Sequence, residues 1–105
     1  MNRQDGLFLK NPLKTALVTG GAKRIGKAIV EDLAANGFAV AIHANESLEE
    51  AAAIARRLGE RGLRAVALQC DLSDGGATAL LMDKATAAIG PIDLLVNNAS
   101  LFKLD

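Results

Sequence analysis

Cysteine is nearly absent from this chain: of 105 residues, only Cys70 carries a thiol. A single cysteine excludes an internal disulfide framework and a cysteine-rich zinc site, and it suits a reducing, cytoplasmic compartment. Charge of one sign is absent too. Twelve basic residues offset twelve acidic ones with no long run of either, so neither a nucleic-acid nor a membrane partner is expected, and the substrate is a small molecule recognised locally. No apolar stretch approaches the roughly 18 residues of a membrane helix. The opening Met1-Asn2-Arg3-Gln4-Asp5-Gly6 also lacks the apolar centre of an export signal. Tyrosine and tryptophan do not occur at all. What is present is a chain that is 50% apolar, enough for one small domain around a modest core.

Residues 1–14, with Pro12 near their end, show little periodicity and read as an N-terminal arm, leaving 15–105 for the folded unit. Thr15 to Thr19 is a short apolar run that stops at Gly20-Gly21, the pattern of a strand covered on both faces. Helical spacing follows in Ile25, Ala28, Ile29 and Leu33, and Asn36-Gly37 supplies a left-handed stop. Phe38 to His43 predicts a second strand. Ser47 with Glu50 three residues later reads as a capping box opening an alanine-rich helix to about Arg61. A third strand is expected over Arg64 to Gln69, a third helix over Ala77 to Ile89, and a fourth strand over Ile92 to Asn97 after the Gly90-Pro91 break. Strands alternating with helices in this way imply parallel pairing and right-handed crossovers. The fold class is therefore α/β, a doubly wound parallel sheet of Rossmann type with about four strands and three helices. A full sheet of this class runs to about six strands, so the architecture looks incomplete.

In such sheets, ligands bind outside the carboxyl ends of the strands, where the strand order reverses. Thr19-Gly20-Gly21-Ala22-Lys23-Arg24-Ile25-Gly26 lies there. Gly20 and Gly21 allow a sharp turn and close approach of the backbone to a pyrophosphate, and Gly26 lets the helix lie against the sheet. The helix N-terminus offers free N–H groups and a positive dipole end. A glycine pair alone would be weak, because any tight strand-to-helix turn needs glycine.

The T-G-x-x-x-x-I-G turn, Asp71-Leu72 after the third strand, and Ile92-Asp93-Leu94-Leu95-Val96-Asn97-Asn98-Ala99 together resemble the short-chain dehydrogenase/reductase family. The resemblance implies that Asp71, with Leu72, contacts the adenine and that Asn98 and Ala99 line the nicotinamide-side ribose. Asn97 is expected to tie neighbouring strands together. Two departures from the common pattern, Arg24 and Ser100 where most members have glycine, resemble the pteridine reductase branch, as does Phe102 two residues beyond the N-N-A-S segment. That likeness implies that Arg24 and Ser100 reach both cofactor and substrate and that Phe102 stacks on a pterin ring. Arginine provides a planar fork of donors and phenylalanine a flat apolar face. A plainer reading leaves Arg24 as a phosphate ligand only and Phe102 as core or interface.

An NAD enzyme of this class carries an acidic residue at the end of the second strand, roughly 20 residues past the turn. Here that place is Ala44. Lys23 and Arg24 add positive charge, and His43, Asn45 and Ser47 can hydrogen-bond a 2′-phosphate, so NADP(H) is favoured over NAD(H). Glu46 stands where the resembled branch often has arginine; it is expected in the first turn of the following helix. His43 also reads as an ordinary strand-end histidine, Ser47 as a helix cap alone, and Cys70 as a small buried side chain.

Hydride transfer in the resembled family depends on a Tyr-x-x-x-Lys pair, and a chain without tyrosine does not carry it. The expectation is thus the cofactor-binding part of an NADP-dependent oxidoreductase, inactive alone and acting in its complete form on a C=N or C=O bond. With the fourth strand's edge uncovered, a homo-oligomer or companion chain is expected. The alternative is a non-catalytic nucleotide-binding or interaction module of the same fold.

Overall fold

The computed structural model describes residues 14–73 and 75–98. Seven elements follow one another: β1 (Lys14–Val18), α1 (Arg24–Ala35), β2 (Phe38–Ala44), α2 (Leu48–Glu60), β3 (Ala65–Gln69), α3 (Ala77–Ile89) and β4 (Leu94–Val96). The strands pair in parallel in the order β3-β2-β1-β4, with Leu17 of β1 level with Ala41 on one side and Leu95 on the other. The chain thus steps outward through β2 and β3, then crosses back to the far side of β1. That reversal is the switch point of a Rossmann-type, doubly wound sheet.

The alternation of side chains along β1 and β2 builds two cores. Val18, Val40 and Ile42 face α1 and α2, where Val30, Ala34, Ala51, Ile54 and Leu58 meet them. Leu17, Ala39 and Ala41 face α3, against Leu81, Ala85 and Ile89. Leu17, Val18, Val30, Val40, Ile42 and Leu81 are fully buried, each stabilising the fold by about 1.5–3 kcal/mol relative to exposure. The alanines between them let helices approach the sheet closely. α1 stops where expected, with Gly37 at φ 94° and the Asn36 N–H donating to Asp32 O at 3.1 Å.

β4 is shorter than Ile92 to Asn97, bounded by side-chain bonding before it and a backbone turn after it. Before the strand, the Asp93 carboxylate accepts from Thr15 N–H at 3.0 Å while Asp93 N–H donates to Thr15 Oγ1 at 3.0 Å. After it, Asn98 N–H turns back to Val96 O at 3.0 Å. β1 begins one residue before Thr15, at Lys14, and β2 runs on to Ala44. Among the described residues no helix is long and apolar enough to cross a membrane.

Candidate functional site

The turn between β1 and α1 sits at the switch point, and both of its leading N–H groups end on one residue. Gly20, at φ 62°, donates to His43 Nδ1 at 2.9 Å, and Gly21 donates to the His43 carbonyl at 2.9 Å. The Gly20 and Gly21 N–H groups are thus engaged within the fold, and the donors without intrahelical acceptors are those at the start of α1. Lys23 is the N-cap, in extended conformation and without a side-chain cap, and the helical ladder begins with Lys27 N–H to Lys23 O at 3.3 Å. The N–H groups of Arg24, Ile25 and Gly26 therefore lack intrahelical acceptors at the positive end of the dipole.

Gly26 also has a different reason from the one expected. A Cβ there would stand 2.2 Å from the Gly20 carbonyl oxygen and 2.6 Å from Asn98 Nδ2, so its bareness lets α1 close on the turn rather than on the sheet. Arg24 has φ 55°, the left-handed region, which costs a residue with a Cβ about 1–2 kcal/mol. Its side chain is exposed, as is Ile25.

His43 is 2% exposed. Its Nε2 lies 2.7 Å from the Cys70 carbonyl, which only accepts, so Nε2 carries the proton and Nδ1 is the acceptor for Gly20. Burial pushes the imidazole below its usual pKa, opposed by the bond to Cys70. Both ring nitrogens are thus engaged with backbone, and the expectation that His43 binds a 2′-phosphate through its ring gives way to a bracing role. Cys70 is buried and its thiol points at Ala77 O, 3.4 Å away.

Asn98 Nδ2 donates to Gly20 O at 3.0 Å, fastening the turn to the end of β4. Thr19 Oγ1 donates to Asn97 Oδ1 at 3.3 Å, so Asn97 does tie neighbouring strands. Ala99, Ser100 and Phe102 lie outside the described residues.

A cleft of about 370 Å³ opens beside the turn, lined by Gly20, Ala22, Lys23, Ala44, Asn45, Glu46 and Ser47. It brings together four of the expected residues, Gly20, Lys23, Asn45 and Ser47, across the ends of β1 and β2. Glu46 precedes the N-cap and lines this cleft instead of lying in the first turn of α2. The capping box does not form. Ser47 is the N-cap but makes no side-chain cap bond, because its ψ of 37° departs from the extended geometry such a cap uses. Glu50 faces Lys23 instead, at 3.9 Å. This exposed pair contributes at most about 1 kcal/mol and leaves Lys23 available to an anion. Asp71 lies past β3 in a separate depression with Gln69, Cys70 and Lys84, its Oδ1 accepting from Ser73 N–H at 2.9 Å and Ser73 Oγ at 2.7 Å. Leu72 is partly buried against the α3-side core. Sequence reasoning missed Thr19 as a strand tie and Glu50 as the partner of Lys23; the polar threonine at the end of an apolar run was the visible signal for the first.

A doubly wound sheet with an uncapped helix N-terminus at its switch point, and a cleft beside it across the ends of β1 and β2, defines a dinucleotide-binding architecture. The profile of the short chain dehydrogenase family matches residues 14–104, and the chain belongs to that family. It is similar in structure to the FolM alternative dihydrofolate reductase 1 of Brucella canis, described in complex with NADP, with TM-score 0.80 and 57% identity over 85% of this chain and 35% of that one. A blue fluorescent protein from a metagenomic library, in complex with NADPH, superposes with TM-score 0.79 and 39% identity over 84% of this chain and 36% of the other. In sequence it is 32% identical over 90 residues, 86% of this chain, to the 3-oxoacyl-[acyl-carrier-protein] reductase FabG of Staphylococcus epidermidis. The chain spans 37% of that relative's length.

Proposed function

We propose that this chain is the cofactor-holding part of an NADP(H)-dependent short-chain reductase whose substrate is a pteridine-like ring. The observation that carries the cofactor reading is the cleft between the turn and the end of β2, with Lys23 at one wall and Ala44 where a carboxylate would otherwise receive the ribose. The residues fit the group. Unengaged N–H groups at the start of α1 suit a pyrophosphate, Gly26 admits no side chain there, and Asn45, Ser47 and Lys23 offer donors to a 2′-phosphate. Two NADP(H)-bound structural relatives support the same choice.

In this reading Lys23 and the first N–H groups of α1 hold phosphate, while Asn98 keeps the turn in place through Gly20. Asp71 receives the adenine edge with Leu72 beneath it. Exposed Ile25 offers an apolar lip beside the phosphates. Ala99, Ser100 and Phe102 continue the site toward the substrate, with Arg24 reaching it from the turn. The bound nicotinamide would supply hydride to a C=N or C=O bond. In the resembled family the proton for that step passes through a Tyr-x-x-x-Lys pair, and no tyrosine occurs among the 105 residues, so on this reading the chain alone is inactive.

The pteridine reading rests on Arg24 and on the FolM relative. Isothermal titration with NADPH and NADH tests the cofactor reading. NADPH is expected to bind at least about tenfold more tightly; equal or tighter NADH binding would refute the preference. Dihydrobiopterin and a 3-oxoacyl thioester, offered to the full-length protein with NADPH, test the substrate, and turnover of the thioester alone would overturn the pteridine assignment.

A further inference from the structure

We propose that His43 is the positioning residue of the cofactor cleft, a single side chain that fixes the glycine turn after β1 to the chain leaving β3. The inference rests on the cofactor reading above and deepens it. β2 lies between β1 and β3, so a ring at its carboxyl end reaches the exits of both neighbours. On one side it accepts the Gly20 N–H at 2.9 Å, and its own carbonyl accepts the Gly21 N–H at 2.9 Å. On the other it donates to the Cys70 carbonyl at 2.7 Å, one residue before Asp71. The start of α1, which would hold the pyrophosphate, and Asp71, which would meet the adenine, are thereby set relative to each other through one imidazole.

The bonds are directional. The Cys70 carbonyl requires a donor at Nε2 and the Gly20 N–H requires an acceptor at Nδ1, so only the neutral Nε2–H tautomer satisfies both. A flipped ring would aim carbon atoms at both partners. The side chain is buried, and loss of either bond would leave a backbone group without its partner at the site.

Asparagine and glutamine separate the two bonds. Asn Oδ1 falls at the position of Nδ1 and retains the Gly20 bond, whereas Gln Nε2 falls at that of His Nε2 and retains only the Cys70 bond. Titration of the full-length protein and its H43N and H43Q variants with NADPH, each checked for folding by circular dichroism, tests the idea. Because each variant breaks the link on one side, both H43N and H43Q are expected to weaken NADPH binding by about tenfold or more. A folded H43N or H43Q that keeps the wild-type Kd within about threefold would overturn the proposal. Where neither variant folds, the wild-type protein decides. Imidazole 15N spectra showing the Nε2–H tautomer, with a Gly20 amide slow to exchange, support the proposal, and an Nδ1–H tautomer overturns it. Failure of wild-type protein to bind either NADPH or NADH is a separate outcome, which removes the cofactor reading and this positioning role with it, whatever the tautomer.

Discussion

Arg24 occupies a backbone conformation that glycine adopts freely and other residues do not, with φ 55° at the first residue of α1. A strain of about 1–2 kcal/mol at an exposed position calls for a return elsewhere, and on the proposed function that return is phosphate or substrate binding. The two effects have opposite signs. Arg24→Gly should raise unfolding stability by about 1 kcal/mol in denaturant titration while weakening NADPH binding several-fold. A stability gain with unchanged affinity would show that Arg24 touches nothing in the cofactor. His43 carries a second prediction at this scale. Burial holds its folded pKa below the ordinary imidazole value of about 6.5, so the unfolded state binds the proton more readily. Its contribution to stability is complete above about pH 6.5 and is lost as pH falls from there through the folded pKa. Urea midpoints of wild type should therefore fall relative to His43→Asn between neutral and mildly acidic pH; parallel profiles would contradict the buried neutral ring.

At the scale of elements, local punctuation was legible and long-range bonding was not. α3 runs from Ala77 to Ile89 as the sequence predicts, because Gly90-Pro91 is an unambiguous stop. The limits of β4 depend on Asp93 and Thr15, 78 positions apart, which no local pattern reveals. The same holds for His43, whose two ring partners lie 23 and 27 positions away. Ser47 and Glu50 had the spacing of a capping box, but Lys23 supplies Glu50 with an opposite charge across the cleft. The turn itself was readable as glycine; the identity of what each glycine meets was not. Gly26→Ala tests that point, since a methyl 2.2 Å from a backbone oxygen forces the turn and α1 apart. It should cost about 1–3 kcal/mol or more and abolish tight NADPH binding, whereas Ala at Gly59, which meets nothing within 4 Å, should be neutral or stabilising. Glu46 works at the opposite wall of the cleft. Removing its charge by Glu46→Gln should tighten NADPH about threefold and leave NADH unchanged, measured by calorimetry at low salt and reduced as salt is added.

The whole molecule is unevenly covered, and the unevenness lies on the β4 side. Leu17 and Leu95 stand level on adjacent strands, yet Leu17 is 1% exposed beneath α3 and Leu95 is 47% exposed beyond it. On the other face Leu94 is 38% exposed beside a buried Ala16. Among the described residues nothing pairs with the outer edge of β4, so unpaired backbone groups and leucines on both faces occur together. That combination is a template for another strand. The chain as given should therefore self-associate, with a sedimentation coefficient that rises with concentration. Leu95→Lys, which places a charge on the uncovered face without touching the turn, should shift it toward monomer while retaining helical content by circular dichroism. If wild type sediments as a monomer across the same range, the β4 edge is not sticky and the exposed leucines have another cover. If Leu95→Lys self-associates as strongly as wild type, the contact lies elsewhere, with exposed Leu80 on α3 the next surface to test.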